Sequence, residues 1–256
     1  MKAYEKVQKA RDIQRLSTID IIHGLCSEFI EFHGDRVMKD DKAIIGGVGL
    51  IDDSDPITVI GIQKGRNTEE NIIRNFGSSG PSGYRKGVRL MEQAEKFNRP
   101  ILTLINTAGA NASPESEDNG IGEAIASSLT TMSELTVPTL AIILGEGGSG
   151  GAIALALSDQ VWMLENSVYS ILSPEGFASI LWKDSSLAPE AADMMKLTAK
   201  ELKELNVIER IIPEGDTSNE ELLNTLVSEI KATFAELKAQ PQADRIQKRY
   251  ECFRKF

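Results

Sequence analysis

The sequence predicts an α/β fold, in which strands alternate with helices along the chain. Two apolar runs, Ile101–Ile105 and Thr139–Leu144, each follow a proline and have the length of buried strands. A glycine-containing turn and then a helical pattern follow each run, as expected for units that share a sheet. The elements are continuous, so we expect a single domain over residues 1–256 with a core at about residues 17–213.

The N-terminal third is predicted to be a helix followed by two strands and a second helix. Apolar residues such as Ile19, Ile22 and Phe29 recur at helical spacing, which predicts an N-terminal helix over residues 1–32. The pattern then predicts strands at Ala43–Ile51 and Ile57–Gln63 and an amphipathic helix at Tyr84–Asn98.

The remainder continues the alternation of strands and helices. Further strands are predicted at Val161–Leu164, Val168–Leu172 and Val207–Ile212, and helices at Gly122–Leu135, Pro174–Trp182, Pro189–Lys196, Ala199–Leu205 and Asn219–Lys238. The charged residues from Gln240 onward are interpreted as a tail, so the C-terminal helix and tail cover residues 219–256.

Composition limits the function classes. The chain of 256 residues is 41% hydrophobic and carries a net charge of −10, which argues against general nucleic-acid binding. We see no apolar run long enough to span a bilayer and no signal-peptide core, so we expect a cytoplasmic protein. Cys26 and Cys252 are too few for a four-cysteine zinc site, and no metal is expected on this chain.

The densest motif is the glycine-rich segment Gly145–Gly151, which holds five of the 21 glycines. It is predicted to be a bare turn between a strand and a helix, where unpaired N–H groups and the helix dipole favour a negative charge. One interpretation is dinucleotide binding, because Gly145, Gly147 and Gly150 match G-x-G-x-x-G and Glu165 lies where a ribose-binding acid is expected.

Two other chemistries fit the same segment. Ser149 matches the G-x-S-x-G pattern of a serine nucleophile, but His23 and His33 both precede it, and His23 is predicted to pack on the apolar side of a helix. Alternatively, the backbone N–H groups of Gly147 and Gly148 form an oxyanion hole, which needs no catalytic side chain. Simple close packing of a helix on a strand would also use glycines.

An ordered series of motifs surrounds the segment. It closely resembles the α subunits of bacterial acetyl-CoA carboxylase carboxyltransferases, and the resemblance covers about Ser17 to Pro213. The motifs are Phe32-His33-Gly34-Asp35-Arg36, Asp41-Lys42-Ala43-Ile44, Gln63-Lys64-Gly65-Arg66, Arg74-Asn75-Phe76-Gly77, Gly83-Tyr84-Arg85-Lys86, Gly145–Gly151, Ser173-Pro174-Glu175-Gly176 and Ile180-Leu181-Trp182-Lys183.

The resemblance implies a crotonase-like fold, a superhelix of β-β-α units, and transfer of a carboxyl group from carboxybiotin to acetyl-CoA for fatty acid synthesis. It implies an α₂β₂ assembly with a β subunit that carries a zinc ribbon. Biotin would arrive on a separate biotin carboxyl carrier protein, and ATP would be used by a biotin carboxylase. A carboxyltransferase acting on another acyl-CoA, such as propionyl-CoA, is the alternative within the family.

The resemblance also implies roles for single residues. Gly147 and Gly148 would stabilise the ureido oxygen of biotin, and Gly109, Ala110, Ser149, Pro174, Glu175 and Gly176 would line the biotin site. Lys64, Arg66, Arg85 and Lys86 are candidate contacts for CoA or the carrier, with Arg74 as a further basic candidate. The family pattern Asp-Thr-Pro-Gly-Ala appears here as Asn106-Thr107-Ala108-Gly109-Ala110, so a charged role at position 106 is not expected.

Overall fold

Strands and helices alternate along residues 1–255, which the computed structural model describes, and the eight strands found there form one sheet. The strands are β1 (Glu28–Glu31), β2 (Ile44–Ile51), β3 (Asp55–Ile62), β4 (Ile101–Thr107), β5 (Thr139–Gly148), β6 (Gln160–Leu164), β7 (Val168–Ser170) and β8 (Arg210–Ile212). The helices are α1 (Ala3–Ala10), α2 (Thr18–Leu25), α3 (Thr68–Ile73), α4 (Pro81–Lys96), α5 (Pro114–Asp118), α6 (Ile121–Glu134), α7 (Ser149–Ile153), α8 (Pro174–Trp182), α9 (Ala188–Met195), α10 (Ala199–Glu204), α11 (Asn219–Ala239) and α12 (Gln242–Phe253).

The sheet is mixed, with an antiparallel edge and a parallel centre. Its strand order is β1-β2-β3-β4-β5-β6-β8, and β7 pairs with the far end of β5. Strands β1 to β3 are antiparallel neighbours, whereas β3 to β6, β7 and β8 are joined in parallel. The carboxyl ends of β4 and β5 therefore meet at one edge, where ligands bind in open α/β sheets.

Helices cover both faces of the sheet. One core packs α4 and α6 against the strands through residues that include Leu90 and Met132. The other packs α2 and α11 on the opposite face through Ile21, Leu226 and Phe234. Burial on both faces explains why β4 and β5 are almost continuously apolar. Among residues 1–255, no helix combines the length and apolar character needed to cross a bilayer.

The two ends of the chain differ from the sequence prediction. Residues 1–32 are not one helical region: α1 and α2 are separated, and Glu28–Glu31 form the edge strand β1. His23 is exposed rather than packed in the core. The residues after Gln240 are not a tail but continue as α12, whose Arg245 and Arg249 side chains reach Asp159 in the interior.

Candidate active site

The glycine-rich segment lies at the carboxyl end of β5 and differs from the expected bare turn. Strand β5 continues through Gly145 to Gly148, and α7 begins directly at Ser149. The strand is longer than predicted because β7 pairs with it here, with Gly147 opposite Tyr169. The first four residues of the segment are thus strand, and only its last three open a helix.

The glycines of this segment allow very close packing. A Cβ atom on Gly148 would lie 2.0 Å from the carbonyl oxygen of Ala108, and one on Gly151 would lie 2.5 Å from the nitrogen of Ala110. The loop after β4 is therefore pressed against the start of α7, which brings Gly109 and Ala110 beside Gly148 and Gly151. A Cβ on Gly150 would make only an ordinary contact, at 3.5 Å from Ile125.

The direction of the N–H groups changes along the segment. Successive residues of a strand direct their N–H groups to opposite sides, so Gly147 and Gly148 do not present theirs side by side. The first N–H groups of a helix share one direction and have no acceptor within the helix. Gly150 and Gly151 occupy this position in α7, whereas Ser149, which precedes them, is exposed and has a left-handed backbone with φ 52°.

Gly109 contributes an open wall rather than a free donor. Its N–H donates to Thr107 Oγ1 at 3.0 Å, and the Thr107 hydroxyl donates to the Gly109 carbonyl oxygen at 2.8 Å. Gly109 has φ 153°, and a Cβ there would meet nothing within 4 Å. A flat ligand can therefore approach this face of the loop without meeting a side chain.

The acceptor at position 106 is an amide. The register of β4 shifts between Ile105 and Thr107, and Asn106 lies at this irregularity. Asn106 Oδ1 accepts the Glu146 N–H at 3.1 Å. A carbonyl-type oxygen is enough for this bond, so the departure from the family's aspartate keeps the acceptor and removes a charge.

Glu146 is a charged residue of the site, and the sequence alone does not indicate a role for it. Its buried carboxylate contacts Arg11 Nε at 2.7 Å and Lys64 Nζ at 2.8 Å. Burial opposes ionisation, but the two cations outweigh it, so the pKa of Glu146 lies below its usual value. Of the basic residues proposed from sequence, Lys64 is thereby brought to the glycine segment.

The start of α8 forms the opposite wall. Gly147, Gly148 and Pro174 line one narrow cleft together with Arg11. The Glu175 carboxylate accepts hydrogen bonds from Arg11 Nη1 at 2.8 Å and from the Tyr4 hydroxyl at 3.1 Å. These contacts lower the pKa of Glu175 to about 2, and Arg11 has the larger effect. The Gly176 N–H donates to Oγ of Ser173, the N-cap residue of α8, so this N–H is already satisfied.

Comparison with known proteins places this site in a family. A family model described as acetyl co-enzyme A carboxylase carboxyltransferase-like matches residues 1–256. The chain belongs to this family. It is 54% identical over 250 residues to the acetyl-coenzyme A carboxylase carboxyl transferase subunit alpha of Streptococcus sanguinis (strain SK36), covering 98% of this chain and 97% of that protein. It is 52% identical to the subunit of the same name from Streptococcus pneumoniae (strain Hungary19A-6), covering 98% of each chain.

Solved structures share the fold at low sequence identity. A Pseudomonas malonate decarboxylase hetero-tetramer in complex with coenzyme A has a TM-score of 0.70 at 14% identity, covering 93% of this chain and 92% of that chain. Transcarboxylase 12S has a TM-score of 0.69 at 14% identity over 91% of this chain, but this chain spans only 45% of its length. The family, its crotonase-like fold and the transferase class predicted from the motif series are confirmed.

The other basic residues singled out from sequence lie away from the glycine segment of the carboxyltransferase fold. Arg66 pairs with Asp20 at the start of α2, and Arg85 donates to the Asn119 carbonyl oxygen at 2.8 Å. Arg74 donates to the Lys42 carbonyl oxygen at 2.9 Å.

Lys86 is not available to contact CoA or the carrier, contrary to the prediction from sequence. Its side chain has no exposed surface, and Nζ lies 2.7 Å from Asp40 Oδ1 and 2.9 Å from the Asp41 carbonyl oxygen. A ligand could reach this ammonium only by leaving Asp40 without its partner, so Lys86 stabilises the fold instead.

The two alternative chemistries find little support in the contacts. Glu165, the expected ribose acid, accepts the N–H groups of Glu214 and Gly215, and α7 is only five residues long. His33 contacts Asp40 at 3.3 Å and Glu31 at 3.6 Å, rather than Ser149. In residues 1–255 no group of three or more His, Cys, Asp or Glu side chains is arranged to hold a metal ion.

Proposed function

We propose that this chain is the α subunit of an acetyl-CoA carboxylase carboxyltransferase, which transfers a carboxyl group from carboxybiotin to acetyl-CoA. The observation that carries the proposal is the backbone cradle at the junction of β5 and α7, found in a chain of this family. The cradle comprises the backbone from Gly147 to Gly151. Gly109 and Ala110 would form its second wall, and Pro174 its third.

The chemistry requires a site that stabilises negative charge for a short time. Carboxybiotin, when bound, would supply the carboxyl group, and its departure would leave an electron pair and negative charge on the ureido group and its oxygen. N–H donors aimed at that oxygen lower the barrier, each by about 3 kcal/mol. The acetyl methyl proton would pass to the ureido group, and the enolate carbon would take up the carboxyl group to give malonyl-CoA. The side chains of this chain need not act as a general base.

The remaining components follow from the same proposal. The enolate of acetyl-CoA needs its own oxyanion donors, which we assign to a separate β subunit with a zinc ribbon in an α₂β₂ assembly. Carboxybiotin would be delivered by a biotin carboxyl carrier protein and regenerated with ATP by a biotin carboxylase in the cytoplasm. Lys64, held beside the cradle by Glu146, is the basic residue placed best to meet the incoming substrate.

Reconstitution with a candidate β subunit tests the proposal. We expect the purified chain alone to be inactive and the mixture to form malonyl-CoA from acetyl-CoA and a carboxybiotin donor. Propionyl-CoA, assayed in parallel, identifies the preferred acyl acceptor. Malonyl-CoA formation by the chain alone would contradict the shared active site. A stable complex that transfers no carboxyl group to either acyl-CoA would contradict the function.

A further inference from the structure

A cation at the C-terminal end of helix α1 joins the two walls of the cleft. Arg11, the residue that follows α1, contacts Glu146 on β5 through Nε at 2.7 Å and Glu175 on α8 through Nη1 at 2.8 Å. Its Nη2 atom donates a further bond to Glu175 at 3.1 Å. Because a guanidinium is planar and always charged, it can hold two carboxylates in a fixed relation.

The backbone around Arg11 is itself held in place. Val7 and Ala10 pack with Leu197 and Ala192 in a small core of their own. Arg15, four residues further on, donates to the Leu144 carbonyl oxygen at 2.7 Å and pairs with Glu214 at 2.7 Å. The guanidinium of Arg11 is therefore presented to the cleft from a docked segment and not from a free end.

The charges beside the cradle are balanced only when Arg11 is present. Two carboxylates, Glu146 and Glu175, face two cations, Arg11 and Lys64. Glu146 lines the same cleft as Gly147 and Gly148, so its charge is close to any anion held by the cradle. Loss of Arg11 would leave one uncompensated negative charge beside a site where further negative charge must develop.

We infer that Arg11 is a positioning residue for the proposed carboxyl transfer: by neutralising Glu146 and Glu175, it permits negative charge to develop on an oxygen held by the backbone N–H groups of Gly147–Gly151. This inference rests on the proposed function and assigns a role to a segment outside the glycine motif. The charge on the ureido oxygen develops only as the reaction proceeds. The effect of Arg11 therefore falls on kcat more than on KM.

The test compares charge variants in the reconstituted complex with the β subunit. The reverse reaction is assayed with malonyl-CoA as carboxyl donor and free biotin as acceptor. We expect Arg11→Gln to lower kcat by about tenfold to a hundredfold with less than about a threefold change in KM, the range for one unscreened charge near the reacting atoms. We expect Arg11→Lys to lose less, because it keeps the charge but cannot bond to both carboxylates equally well.

The decisive variant is the double replacement Arg11→Gln/Glu175→Gln. It restores the charge balance without restoring the link between the walls, so we expect it to recover most of the kcat lost in Arg11→Gln. Lys231→Gln is the matched control, because it removes a lysine that pairs with Asp52 at 2.6 Å on the β2–β3 turn. Its kcat should equal that of the wild-type complex. Thermal melting and co-elution with the β subunit establish that every variant is folded and assembled.

The outcomes separate the two proposals. An inactive wild-type complex would reject the proposed function itself. An active wild-type complex in which Arg11→Gln keeps its kcat, or in which the double variant is no better than Arg11→Gln, would overturn the role of Arg11 alone.

Discussion

The glycines of the segment Gly145–Gly151 differ in how much space their surroundings leave for a side chain. Gly148 lies where a Cβ would meet a backbone oxygen at 2.0 Å, which no flexible side chain can relieve. Gly150 lies where a Cβ would make an ordinary contact with the Ile125 side chain at 3.5 Å. The motif therefore combines glycines that close packing requires, such as Gly148 and Gly151, with one that the fold could replace, Gly150.

This difference predicts the result of two alanine substitutions. Gly148→Ala should force the loop at Ala108 away from β5, and we expect kcat to fall at least a hundredfold as the cradle is distorted. Gly150→Ala keeps its N–H and the space around it, so we expect kcat within about threefold of wild type. Steady-state assays of the reconstituted complex measure both, and melting curves provide the control for folding. Equal losses of kcat in the two variants would show that steric distortion at Ala108 does not cause the loss of activity.

The glycine-rich segment Gly145–Gly151 is visible in the sequence, but its charged surroundings are not. A run of glycines after an apolar strand is visible in one short window of sequence. Arg11 and Glu146 are 135 residues apart, and no local pattern indicates that they meet. Lys86 illustrates the opposite error. A lysine in a helical pattern is predicted to be exposed, but the fold buries this one against Asp40.

At the scale of elements, the sequence predicted most helices and strands with their ends shifted by a few residues. The exceptions have physical causes. The short edge strand β1 is largely exposed, so its residues Glu28–Glu31 lack the burial pattern of an inner strand. Strand β5 passes its predicted end because β7 pairs with it, which is a tertiary effect on residues that are mostly glycine.

Helix α12 was mistaken for a charged tail because its contact with the core is polar. Arg245 and Arg249 have side chains only 6% and 3% exposed, and both approach Asp159, which is 2% exposed. Arg249 also donates to Thr139 Oγ1 at 3.2 Å. Buried arginines give no apolar periodicity, so the helix has no visible inner face in the sequence.

The Asp159 cluster predicts an unequal response to loss of its members. Asp159→Ala would leave two buried guanidinium groups facing each other, and we expect unfolding to become easier by about 3–5 kcal/mol. Arg245→Ala leaves the Arg249–Asp159 pair in place, so we expect a smaller loss of about 1–3 kcal/mol. Urea denaturation measures both, and hydrogen exchange in residues 242–253 reports release of α12. A larger loss for Arg245→Ala would contradict this account of the cluster.

At the scale of the whole molecule, two ion pairs link stability to pH, Arg11–Glu175 and Lys86–Asp40. Each joins residues that are far apart in sequence. Glu175 and Asp40 both have a pKa lowered to about 2. Arg11 is the main cause for Glu175, whereas for Asp40 burial raises the pKa and is outweighed by Lys86 together with the Gly34 N–H and His33. A carboxyl whose pKa is lower in the folded state stabilises the protein fully above its ordinary pKa. That stabilisation is lost as the pH falls from about 4.5 toward 2.

The two pairs should differ in size because their partners differ in burial. Lys86 is fully buried, so Asp40→Asn leaves an uncompensated interior charge, and we expect a loss of about 3 kcal/mol at pH 7. Arg11 and Glu175 are each about a third exposed, so Glu175→Gln should cost less than about 1 kcal/mol. Urea denaturation at pH 7, 4.5 and 3 should show each variant approaching wild type as the pH falls. A gap between wild type and Asp40→Asn that stays constant over this range would mean that the Asp40 carboxylate does not carry the pH dependence.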